Sequence, residues 1–178
     1  MANTVPFGVM VMGFRLAVER FEGASPTSDR VASVIPLFEA LNWAVALDER
    51  LVKDWVPDGE GREPGWDWPI RLRGDTEADI VRGVRFIRNR VHHQWADALR
   101  VAKDRHHYPH RQREWIWVAA SDLPEADSGH DKGREGYERL VEGHPAEFTL
   151  TTLVSIYEFV TQLLEPLGPP KRWIAEDV

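Results

Sequence analysis

Apolar residues recur at steps of three and four over several stretches of this chain, the period of amphipathic helices. The clearest series is Ile80, Val84, Ile87, Val91, Trp95, Ala98 and Ala102. It predicts a helix that starts after Gly74, is capped by Asp75 or Thr76, carries Glu77 and Asp79 in its first turn and ends near Asp104. A second series, Ile35, Phe38, Leu41, Val45, Leu47, Leu51, Val52 and Trp55, predicts a helix over 34–55. Ser33 is its expected N-cap, and Pro36 belongs in the first turn because an interior proline costs about 3 kcal/mol. A third helix is expected over 150–167, with Leu153, Ile156, Tyr157, Val160, Leu163 and Leu164 inward and Pro166 and Gly168 closing it. Weaker periodicity marks a helix over 3–22 and a short one over 134–142 that stops at Gly143-His144-Pro145. Residues 115–119 read as a short extended piece. Glycine, proline and polar residues mark loop insertions near 57–74 and 105–133. The expected architecture is all-α: one domain over 1–178, a bundle of four or five antiparallel helices.

Composition narrows the function classes. The chain has 178 residues, 43% of them hydrophobic and 29% charged, which is globular rather than disordered. It has no cysteine, so disulfides, a thiolate nucleophile and cysteine-ligated metals are excluded. The apolar stretch from Val5 to Phe14 follows no basic residue, unlike a signal peptide, and no run reaches the length of a membrane span. A cytoplasmic protein without a membrane partner is the expectation. Net charge is −7, which argues against a general nucleic-acid coat. The charge is unevenly spread: from Arg82 to Arg113 nine Lys or Arg stand against two acids, so the remainder carries −14.

Within that basic strip lies Arg88-Asn89-Arg90-Val91-His92-His93. Arginine offers a planar fork of donors suited to phosphate, and histidine moves a proton near neutral pH. With Arg85 as zero, a helical wheel puts the core stripe at about 200–280°, Arg88 at about 300°, His92 at about 340°, Asn89 at about 40° and His93 at about 80°. The motif thus flanks the core. Phe86, at about 100°, is apolar on the outer side, as expected if a second subunit or a partner covers that flank.

An Arg-Asn-x-x-x-His spacing on such a helix resembles the signature of the HEPN superfamily, small helical domains often found as metal-independent ribonucleases in toxin and phage-defence systems. The resemblance covers roughly residues 30–105 and the last helix. It implies a homodimer whose motif helices face each other across a cleft that holds RNA. Arg88 would hold the scissile phosphate and stabilise charge in the transition state. His93 would act as general base or acid while the ribose 2′-hydroxyl attacks, and Asn89 would orient His93 or bond to phosphate. His92 is the alternative acid or base. Arg85, Glu39 and Asn42 are supporting candidates, the last two as orienters of His93 from the preceding helix. Arg82, Arg90, Arg105, His106, His107, His110 and Arg111 are the expected RNA contacts. An antitoxin or regulatory protein is a further implied partner. Family toxins silenced by nucleotide transfer carry a tyrosine two residues after the histidine, where this chain has Trp95.

Blander accounts compete. The motif residues also suit a solvated helix face or a polar dimer seam, and the same cleft would serve a non-catalytic module binding a nucleotide, RNA or a protein. The histidines at 92, 93, 106, 107 and 110 lack acidic residues at recognisable ligand spacing, so no metal or other cofactor is expected. Trp115 and Trp117 fit burial better than stacking on bases.

Overall fold

A computed structural model describes residues 5–24, 31–55, 75–94, 96–102, 114–125 and 133–164. They form five helices and one two-stranded sheet: α1 (Phe7–Gly23), α2 (Val31–Trp55), α3 (Asp75–Gln94), β1 (Leu99–Ala102), β2 (Glu114–Trp117), α4 (Arg134–Leu140) and α5 (Ala146–Leu164). A single 3-10 turn, Ala120–Asp122, follows β2. The loop at 57–74, the 105–113 and 126–132 parts of the second insertion and Trp95 lie outside the described residues.

Helix α1 packs on α2 and α5, α2 on α3, and α3 on α4. The seam of α1 is Phe7, Val11, Phe14, Val18 and Phe21, alternating steps of four and three that keep one face inward. Phe14 meets the edge of Tyr157 on α5 with ring centroids 5.9 Å apart. Tyr157 then donates to the Ala44 carbonyl of α2 at 2.8 Å, which ties three helices together through a fully buried ring. Opposite that seam, Val9, Met12 and Leu16 of α1 are exposed.

Several expectations are corrected. The helix expected to reach Asp104 stops at Gln94, and 99–102 pair antiparallel with 114–117, Leu99 opposite Trp117. The described residues are thus mostly helical, in line with the all-α expectation, with one small two-stranded sheet added to the bundle. The Ala96 N–H returns to the Arg90 carbonyl at 3.2 Å and closes the last turn of α3. The extended piece near 115 is β2. Trp117, fully buried, donates from its indole to Thr149 on α5 at 3.1 Å and anchors the hairpin on the bundle.

Helix α2 already includes Val31, so Pro36 sits in its interior and Ser33 is a buried helical residue, not a cap. The carbonyl that Pro36 leaves unbonded belongs to Ala32, on the exposed side, where water can serve it. The stretch Val31–Lys53 is long and apolar enough, by length and composition, to cross a membrane, contrary to the sequence reading; 44% of the relevant window is buried inside the molecule.

The outer flank of α3 is covered by the chain's own α4, not left for a partner. Phe86 is buried, with its ring 5.3 Å from that of Tyr137. Close approach depends on glycine: Gly133 adopts φ 92° against the Arg82 carbonyl, and a Cβ on Gly136 would lie 2.5 Å from the Asp79 carbonyl oxygen. Asp79 fastens the same seam by pairing with Arg82 and with Arg139. Gly136→Ala must push α4 off α3, so we expect a loss of about 1–3 kcal/mol in a denaturant titration. An unchanged midpoint would refute the tight seam.

Candidate functional site at the groove between α2 and α3

Helices α2 and α3 run antiparallel, so Phe38 lies opposite His92 and Asp48 opposite Arg85. Between these two anchor points the groove carries Arg88, with Asn42 half-buried on α2 one turn from Phe38.

At one end, Arg85 donates to the buried Asp48 carboxylate at 2.9 Å and to Glu49 at 3.3 Å. The Asp48 side chain is 2% exposed and that of Arg85 20%, so this pair is largely withdrawn from water. Arg85 is thus committed to the fold rather than held out to a ligand.

Arg88 differs. It is half-buried, its Nη1 donates to the Asn89 amide oxygen at 3.2 Å, and its Nε is shielded with no hydrogen-bond partner among the described residues. Burial lowers its pKa from the ordinary value; Glu49 opposes that shift and Arg85 adds to it. Guanidinium ionises so high that Arg88 stays charged at neutral pH. Among the described residues its guanidinium donates to a neutral amide, which takes one of five N–H donors and leaves others for an anion.

At the other end, the His92 imidazole stacks on the Phe38 ring, centroids 3.8 Å apart and planes 13° apart. Burial is the main cause that lowers its pKa from the ordinary 6.5; Arg88 and His93 act in the same direction, and the Phe38 carbonyl opposes them. His92 is therefore neutral at pH 7. Its Nε2 is shielded and has no hydrogen-bond partner among the described residues. His93 is exposed, on the other flank of α3.

The remaining candidates divide plainly. Glu39 pairs with Arg20 of α1 at 2.6 Å, which corrects its expected reach toward His93. Arg90 is buried, 3% exposed, with its guanidinium 4.6 Å from the centre of the Phe86 ring; its place is in the α3–α4 seam and not among RNA contacts. Arg82 is half-buried and bonded to Asp79 at 3.0 Å. Arg105, His106, His107, His110 and Arg111 lie outside the described residues. Among the described residues no three His, Asp or Glu side chains gather as metal donors.

Sequence reasoning missed Asp48 and Phe38 as parts of the site. Phe38 belongs to the apolar series of α2 and Asp48 lies beside it, and neither role is visible without the residue opposite. The chain matches no family model, no curated protein and no solved structure.

Proposed function

We propose that the groove between α2 and α3 cleaves RNA without a metal, as an endoribonuclease of the toxin or phage-defence kind. The observation that carries this reading is Arg88: a half-buried guanidinium that donates to a neutral amide, with His92 one helical turn on. The reaction balances with these groups alone. The 2′-oxygen attacks phosphorus, the bond to the 5′-oxygen breaks, a histidine takes the 2′-hydroxyl proton, and the leaving oxygen acquires one from solvent or a second histidine. The products are a 2′,3′-cyclic phosphate and a 5′-hydroxyl. Arg88 offsets the charge that grows on the phosphoryl oxygens. A second copy belongs to the proposal, since His93, near the C-terminal end of α3, is itself exposed. The HEPN resemblance supports the same reading through its Arg88-Asn89 and His93 spacing.

A second reading, a non-catalytic module for a nucleotide, RNA or protein, draws support from the ion pairs of Arg82 and Arg85, which leave much of the described basic strip internally neutralised. Total RNA and tRNA incubated with the protein in EDTA separate the two. Cyclic-phosphate ends produced by wild type are the expected result; intact RNA with a folded protein would favour the module.

A further inference from the structure

The motif offers two adjacent histidines, and the structure treats them differently. Resting on the ribonuclease reading, we propose that His92, rather than His93, is the base that takes the 2′-hydroxyl proton, acting with Arg88 as one unit on a single helix.

Geometry carries this assignment. Residues four apart on a helix share a face, so Arg88 and His92 are neighbours, whereas His93 points about 140° away from Arg88 on the wheel. One phosphodiester held by Arg88 then lies within reach of His92 from the same helix. The Phe38 ring fixes the imidazole plane by parallel stacking at 3.8 Å, which removes the rotamer freedom that an exposed His93 retains. Nε2 has no hydrogen-bond partner among the described residues, so the ring is not spent on a structural bond there. Because Nε2 is shielded, phosphate binding by Arg88 has to draw the groove open before a 2′-hydroxyl reaches it.

The charges around the ring favour a neutral base. On its own helix these are Arg88 and His93; from α2 the Phe38 carbonyl pulls the other way. The carboxylates of Asp48 and Glu49 bond to Arg85, further along the groove. A base of this kind gives a rate that rises with pH along a limb whose midpoint lies below 6.5, the ordinary histidine value.

The test is the pH profile of kcat for cleavage of one oligoribonucleotide by wild type, His92→Gln, His93→Gln and Phe38→Leu. His92→Gln should lower kcat about 100-fold or more with KM little changed, and should abolish the rising limb. His93→Gln should lower the rate and keep the limb. Phe38→Leu keeps an apolar side chain but releases the ring, so the limb should move up toward 6.5 and kcat should fall. This variant keeps the assignment testable if His92→Gln does not fold. A limb lost in His93→Gln and kept in His92→Gln would overturn the assignment while leaving the ribonuclease reading intact, as would an unmoved limb in Phe38→Leu. Wild type that binds the oligonucleotide without cutting it would end the reading itself, and the assignment with it.

Discussion

Asp48→Ala is expected to be among the most damaging single substitutions in this protein, costing about 3–5 kcal/mol and lowering Tm by roughly 10 °C. Asp48 is 1% exposed and bonds to Arg85. Removing the carboxylate leaves a guanidinium whose side chain is only 20% exposed with the exposed Glu49 as its remaining acidic partner among the described residues. The cost comes from a largely withdrawn charge left with only an exposed partner rather than from the intrinsic strength of the pair. An apolar replacement of both partners, Asp48→Leu with Arg85→Met, should therefore recover much of the loss. Chemical denaturation of the single and double variants checks this. A single-variant loss below about 1 kcal/mol, the scale of surface pairs, would show that Arg85 is held by other means.

The second large effect is on activity. Arg88→Ala is expected to cut RNA cleavage by about 100- to 1000-fold, the range for removing one donor from a transition-state oxyanion site. Stability should change little or even rise, since a half-buried charge whose shielded Nε has no hydrogen-bond partner among the described residues is removed. Arg88→Lys should rescue only weakly, because an ammonium keeps the charge and loses the planar fork. Loss of activity together with the fold, in a thermal melt, would instead make Arg88 a structural residue.

Much of this geometry was legible in the sequence, and the failures have physical causes. The period of three and four located α2 and α3 and placed Arg88 and His92 beside the core, because helical phase is a local property. The end of α3 was misread for the same reason: Trp95, Ala98 and Ala102 continue the phase. The pairing of Leu99–Ala102 with Glu114–Trp117 is non-local and leaves no trace in a window of one helix. Phe86 read as an outward apolar residue awaiting a partner, since nothing in α3 foretells that Gly133 and Gly136 let α4 approach closely enough to bury it. Pro36 misled because the rule that sends proline to the first turn assumes a costly lost bond, and here the orphaned carbonyl is on the wet side. The unequal standing of the two histidines depends on Phe38, some fifty positions away, and no spacing rule carries that information.

The measurement closest to the central claim compares one oligoribonucleotide with its fully 2′-O-methylated counterpart, both incubated with the protein in EDTA, with product ends identified by mass. Attack by the 2′-hydroxyl at the Arg88 groove predicts that only the unmodified strand is cut, with cyclic-phosphate and 5′-hydroxyl ends, and that Arg88→Ala leaves both strands whole. Cleavage of the methylated strand, or cleavage by Arg88→Ala at the wild-type rate, would contradict it.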